Sequence, residues 1–540
     1  MTTRTAPAPA PTPRGPHPTT LYRCRHVLTP ADHATALLTD GTTITWTGHH
    51  RHAPRADRVI DLDGALITPA FVDAHAHLAQ TGHRLLGPDL GTARTLEQLL
   101  DLVRAAAAAT PTGPVTAHGW DSTLLAENRP PTGTELDRAT GDRPTYLSRA
   151  DCHSAVVSTA LARDSGADRL DGWTRDGLVT RDAHHAALAA VRARTTAAQR
   201  RKHHLNALRA AARAGIGTLH EMSTPQLADE QDLAELAALA AGPAGSGLPE
   251  IVCYRAELVG TPRQAARAVA RMARSGIPVR GLAGDLCVDG SFGSRTAALS
   301  EDYHDAPGER GHLYLDTAQI RDHVVACTLA GVQAGFHTIG DRAVRTALDG
   351  FEQAARRVGL RTLRAARHRL EHLEALDAQA ITRTARLGLV ASVQPAFDAT
   401  WGGPDGLYAA RLGRRRAAAL NPLRSLADAG VHLALGSDSP VTGLSGWAAI
   451  RACVHHRCPG HGLDARRALH AHTAGGHRAA RRAAGTLAPG QPASLAVWEI
   501  TAPAADGTHL PDLGPQHPDP RCLRTVVRGR VLHDELAHGD

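Results

Sequence analysis

Apolar and polar positions change their period along the chain, and the changes divide it. Leu21–His26, Ala36–Leu38, Thr42–Thr47 and Arg58–Leu62 alternate apolar with polar residues between Gly, Asp and Pro turns, which predicts short antiparallel strands. Ala493–Ile500 and Leu523–Leu532 carry the same pattern, so the two chain ends are expected to meet in one small β domain, a β-sandwich over residues 20–64 and 483–540. Between them, β-rich apolar runs alternate with Ala-, Arg- and Leu-rich stretches of helical period such as Gln199–Ala214, Pro262–Ser275 and Arg342–Val358. The runs are Ala65–His77, Gly215–Glu221, Glu250–Leu258, Gly284–Asp289, Gly331–Ile339, His368–His372, Leu389–Gln394 and Val431–Asp438. Eight βα units predict an α/β fold, a (β/α)8 TIM-like barrel over residues 65–482, with its chemistry at the C-terminal strand ends.

The interval 78–200 is too long for one crossover and holds further strand patterns at Gly113–Asp121 and Pro144–His153. It is expected to be an inserted specificity subdomain after the first barrel strand. Residues 1–19 are rich in Pro, Thr and Ala without an apolar core, which predicts a disordered tail.

Histidine placement adds chemistry to this frame. His75 and His77 end the first apolar run, and side chains at i and i+2 of a strand point the same way, so both can reach one metal ion. The same spacing recurs at His50/His52, among Arg and Pro in a turn, and at His470/His472, in a helical stretch; neither follows a strand. His337, His372 and Asp438 end the fifth, sixth and eighth runs. Neutral imidazoles with a carboxylate suit zinc, which activates water for hydrolysis, and Asp438 is suited to accept the proton of that water.

Composition removes other classes. A net charge of +7 on 540 residues is small and spread along helices, which argues against nucleic-acid binding. No apolar run approaches the length of a membrane span, so no membrane partner is expected. Eight scattered cysteines without a CxxC pair read as reduced thiols of a cytoplasmic protein. The group Cys453, His455, His456, Cys458 and His461 matches no usual zinc spacing and reads as a helix end with exposed histidines. The pairs His184/His185, His203/His204 and His455/His456 read as exposed helix residues. The pattern is silent on oligomeric state and compatible with a homodimer.

Several separated motifs resemble the amidohydrolase superfamily, and within it amidohydrolase family 3, which includes N-substituted formamide deformylases. They are Thr68–His77, His118-Gly119-Trp120-Asp121, Asp289-Gly290-Ser291-Phe292-Gly293-Ser294-Arg295-Thr296-Ala297-Ala298, His337–Ala343, Arg369-Leu370-Glu371-His372 and Gly436-Ser437-Asp438, in the family's order. The resemblance covers most of residues 20–500. It implies that His75, His77, His337, His372 and Asp438 are the metal and catalytic residues, and that the reaction is hydrolysis of a non-peptide C–N bond, in a small-molecule amide or formamide. Trp120, His153 and Arg295 are the expected substrate contacts, and His220 and Glu221 the expected partners behind the metal ligands.

The chain departs from the family at two points. Members commonly carry a lysine, carboxylated to bridge two metals, where this sequence has Asp285, and its sole lysine, Lys202, lies in a helical run. No carboxylated lysine is therefore expected. Either Asp285 supplies a shorter carboxylate to a metal pair, or one zinc is bound by His75, His77, His337 and Asp438 while His372 polarises the substrate carbonyl; the short aspartate favours one ion. In the insertion, Arg181 stands where members often have an acid, followed by Asp182. The rival readings are a single-metal deaminase of an aminated heterocycle and a catalytically silent binding protein on the same fold.

Overall fold

The computed structural model describes residues 18–30, 34–110, 112–242, 247–507 and 509–536. Almost all of the tail expected over residues 1–19 lies outside the described residues.

Phe71–Ala76, Ile216–Ser223, Glu250–Arg255, Val279–Leu282, Gln333–Thr338, Arg369–His372, Val390–Val393 and His432–Leu435 pair in succession, all parallel, into an eight-stranded sheet. The last strand closes on the first through Asp438 N–H to the His75 carbonyl and His77 N–H to the Ser439 carbonyl, each 2.8 Å. The Asp73 carboxylate strengthens this seam by accepting from His75 N–H at 3.2 Å and Ser437 N–H at 3.0 Å. Helices cover the outside, so most strand residues are buried on both faces, as continuous apolar runs require. The helix Asp341–Val358 turns Ala343, Val344, Ala347, Leu348, Phe351 and Ala354 inward at three- and four-residue spacing.

Two of the expected strands differ. The first run is two strands: Arg58–Pro69 belongs to the small domain and only Phe71–Ala76 to the barrel. The handover occurs at Ala70, whose N–H bonds Ser494, whereas Phe71 N–H bonds Gly215 at the foot of the second barrel strand. The fourth strand is Val279–Leu282, not Gly284–Asp289. Gly284, at φ +94°, turns the chain out of the sheet, and the Leu286 and Val288 that look strand-like make a single bridge, through Cys287, to His337. The loop beyond is pinned by the Asp289 carboxylate, which accepts from Ala298, Ile339 and Gly340 N–H at 2.8–2.9 Å.

The small β-sandwich domain uses both chain ends. Its strands run in the order Arg530–Asp534, Arg521–Val527, Leu495–Glu499, Arg58–Pro69, Thr19–Val27, Ala34–Asp40, Thr43–Gly48, around a core that includes Val27, Leu37, Ile44, Ile67, Leu495 and Val497. Trp498 joins this domain to the barrel: its Nε1 donates to Thr68 Oγ1 at 2.8 Å, and its ring packs 5.2 Å from Phe71 and 5.5 Å from Trp447. Gly215 lies against that ring at φ +73°, where a Cβ would come within 2.2 Å of it. The insertion has its own sheet of Val115–Trp120, Thr145–Arg149, Ser154–Val157 and Leu178–Thr180.

Several histidines expected on the surface are not there. His184 is buried with Nε2 2.8 Å from the Tyr146 hydroxyl, and His204 is buried on the inner face of its helix. Among the described residues no helix is long and apolar enough to cross a membrane.

Trp498→Ala is expected to destabilise the protein by about 3–5 kcal/mol, because its ring fills the seam between the domains. A shift of the urea midpoint under 0.5 M would show that the seam is held by other contacts.

Candidate functional site

The C-terminal ends of the first, fifth, sixth and eighth strands bring His75, His77, His337, His372 and Asp438 together over the barrel mouth, and the loop after the fourth strand adds Asp285. Two donor groups result, His75, His77, Asp285 and Asp438 in one, and Asp285, His337 and His372 in the other. Asp285 belongs to both. In the first group, His75 Nε2 lies 3.4 Å from an oxygen of each of Asp285 and Asp438, and His77 Nε2 lies 2.9 Å from Asp285 and 3.2 Å from Asp438. In the second, Asp285 Oδ1 lies 3.5 Å from His337 Nδ1 and 3.7 Å from His372 Nε2. Ligands bound at ~2.1 Å to one tetrahedral ion stand ~3.4 Å apart, so these spacings are those of a metal's coordination shell.

The histidines are oriented from behind. His75 Nδ1 lies 2.9 Å from Glu371, His372 Nδ1 2.8 Å from Gln394 Oε1, and His337 Nε2 3.2 Å from the Gly290 carbonyl. Each ring donates through the tethered nitrogen and turns the other, which has no hydrogen-bond partner, toward the carboxylates. This is the arrangement that fixes the tautomer of a metal-binding imidazole. Glu371 is held by Arg369, which also reaches the Ala74 carbonyl at 2.7 Å and Ser392 Oγ at 2.9 Å. Burial would raise the Glu371 carboxyl, but the Arg369 guanidinium outweighs it and holds it at about 2.

The electrostatics favour positive charge at the centre. Burial works to lower His75 and His77, yet Asp285 and Asp438 raise both, His77 to about 10. Asp438 itself is held well below the usual carboxylate range, because His75 outweighs its burial. Its backbone, like that of His372, is left-handed, at φ +52° and +68° respectively.

A cavity of about 650 Å3 opens beside His77, Asp285 and Asp438, walled by His153, Arg181, Arg255 and Tyr314 among others. His153 comes from the insertion, with its ring 5.1 Å from that of His337; burial, then His337, lowers it to about 4, so it is neutral at pH 7. On the other side of the cluster, Phe397, Trp401 and Tyr408 form an apolar notch beside His337 and His372.

Two expected substrate contacts lie elsewhere. Trp120 is buried in the insertion's own core, its Nε1 donating to the Leu147 carbonyl at 2.8 Å. Arg295 turns outward and forks onto Asp305 at 3.0 and 2.8 Å. Of the expected supports, Glu221 accepts Leu78 N–H at 2.8 Å and His220 accepts from Arg369 at 3.1 Å. Arg181 reaches the cavity wall but pairs with Asp171 at 3.0 Å. The sequence assigns no role to Gln394, which ends the seventh run, or to Asp151, which lies beside His153. Asp151 accepts from Ser291 and Ser294 at 2.7 Å each and forms an ion pair with Arg149 at 2.9 Å, so it binds the insertion to the loop after the fourth strand. A side chain at the end of the seventh strand was the only signal for Gln394.

Residues 58–533 match the family profile described as the amidohydrolase family. The protein YtcJ of Bacillus subtilis is 26% identical over 73% of this chain and 74% of its own length. The N-substituted formamide deformylase of Arthrobacter pascens is 25% identical over 75% of this chain and 77% of its own. Among solved structures, a metal-dependent hydrolase from Pyrococcus furiosus superposes with a TM-score of 0.68 at 25% identity, over 89% of this chain and 98% of the other.

Gln394→Ala is expected to weaken metal affinity ~10–100-fold by releasing His372, read by competition with a chelator. Arg295→Ala is expected to leave KM within about twofold, because its partner is Asp305 and not substrate; a larger rise would return it to the substrate site.

Proposed function

The chain belongs to amidohydrolase family 3, and on that premise we propose that it is a metal-dependent hydrolase of a non-peptide C–N bond, an amide or formamide, in a small molecule. The observation that carries the reading is the set of tethered histidines facing two carboxylates beside a cavity of substrate size. The donor set fits zinc, with one ion position at His75, His77, Asp285 and Asp438 and a second at Asp285, His337 and His372. When bound there, the metal lowers the pKa of water and polarises a carbonyl. The shared donor favours a pair over the single ion expected from the short reach of an aspartate: the loop after the fourth strand carries Asp285 to the centre, and the reach of a lysine is not needed.

Asp438 is the general base. Its carboxylate stands at the donor cluster, 3.4 Å from His75 Nε2 and 3.2 Å from His77 Nε2, where it can accept the proton of the attacking water and return it to the leaving amine. His372, held by Gln394, steadies the substrate carbonyl side of the cluster, and neutral His153 offers the substrate a donor from the insertion. The named activity of the Arthrobacter relative supports an amide or formamide substrate. Eight unpaired cysteines support a cytoplasmic location.

Metal-loaded protein is expected to release both amine and acid from N-formyl amines or N-acyl amino acids; release of ammonia from aminated heterocycles instead would make it a deaminase. Asp438→Asn is expected to retain fold and lose ~10²–10⁴-fold or more in kcat, and an active variant refutes its role. A His337→Ala/His372→Ala variant is expected to hold one ion fewer than the wild type. A variant that loses every ion of the catalytic cluster would establish a single ion that includes His337 among its ligands.

A further inference from the structure

A second group of metal-type donors lies apart from the catalytic cluster. The helix Gly446–Val454 ends at His455, and the loop behind it carries His456, Cys458 and His461. The sequence reads these histidines as exposed, but the His456 side chain is only 2% exposed and Cys458 is buried. One donor atom from each of the three lies within 4.8 Å of the others.

Their surroundings repeat the logic of the catalytic histidines. His461 Nδ1 lies 3.0 Å from the Leu420 carbonyl, so it donates there and leaves Nε2 as a lone pair. His456 Nδ1 is approached by Cys458 N–H at 3.0 Å and by Asp398 Oδ2 at 3.4 Å, while its buried Nε2 has no hydrogen-bond partner. A buried polar nitrogen without a partner costs about 1–3 kcal/mol. Cys458 Sγ has only the Ala417 carbonyl, at 3.8 Å.

We propose that His456, Cys458 and His461 form a second metal site, a structural one, for zinc or another thiophilic divalent ion. Two imidazoles and one thiolate fill three tetrahedral positions, and the partly exposed His461 leaves the fourth to water. In the structure His456 Nδ1 accepts from Cys458 N–H at 3.0 Å, so an ion on Nε2 would move the ring proton to Nδ1, which would release Cys458 N–H and turn to Asp398 Oδ2, 3.4 Å away. Binding deprotonates Cys458 and releases that proton to solvent. The site would tie three segments together: the loop 455–461, the turn at Ala417 and Leu420, and the helix Pro395–Trp401 that carries Asp398. That helix also presents Phe397, whose ring stacks 5.9 Å from His372, and Trp401, so the ion would brace the apolar wall of the catalytic notch.

The test uses full-length protein loaded with Co2+. The wild type and a His75→Ala/His77→Ala variant are both expected to show a thiolate-to-cobalt charge-transfer band in the near ultraviolet, and Cys458→Ser to lose it. His461→Ala, a change at a half-exposed position, is expected to abolish the band as well, which keeps the test decisive where Cys458→Ser misfolds. Metal analysis should find one ion fewer in His461→Ala than in the wild type. A wild type without the band, a band that survives Cys458→Ser, or equal ion content in His461→Ala overturns the site.

Discussion

The guanidinium of Arg369, buried on the barrel axis, is the contact on which the site depends. It pairs with Glu371 on its own strand, donates to the Ala74 carbonyl of the first strand, to His220 of the second and to Ser392 of the seventh, and lies 4.6 Å over the ring of Tyr254 on the third. A charge removed from water in this way is tolerated only if every donor finds an acceptor, so strands one, two, six and seven are held in one register. The consequence reaches the chemistry in one step: Glu371, fixed by Arg369, fixes the ring of His75.

The insertion is docked by a second buried ion network. Arg149 bridges Asp121 at 3.0 Å and Asp151 at 2.9 Å, and Asp151 binds the hydroxyls of Ser291 and Ser294 across the barrel mouth. The His-Gly-Trp-Asp and Asp-Gly-Ser motifs, separated by some 170 residues in sequence, are thereby two halves of one latch. Their role in this chain is to place His153 against His337 and to shape the cavity, while Trp120 and Arg295 serve the latch and the surface. Such a latch lets substrate preference change within the insertion without disturbing the donors on the barrel strands.

Asp285 illustrates how backbone can stand in for side-chain length. A loop that leaves the barrel at Gly284, held by three N–H donors to the Asp289 carboxylate, carries the short side chain of Asp285 to within 3.7 Å of all four ring nitrogens.

The sequence by itself determined most of the architecture and the candidate donors, because both are local: strand period, strand-end position and residue chemistry are readable within ten residues of each other. The number of βα units and the paired chain ends follow from periodicity, an insertion follows from the length of one interval, and His75, His77, His337, His372 and Asp438 are legible as the polar ends of apolar runs, while the bounds of the first and fourth strands are not. Tertiary structure alone decided which way side chains face and what they meet. Trp120 and Arg295 sit in motifs, but a motif does not state orientation; Gly284–Asp289 has a strand's composition, but a turn at Gly284 removes it from the sheet. Gln394, Asp151 and the burial of His456 and Cys458 were hidden for the same reason: their partners, at His372, at Ser291 and Ser294, and at Asp398 and Leu420, come from other elements of the fold, and only packing brings them within bonding distance.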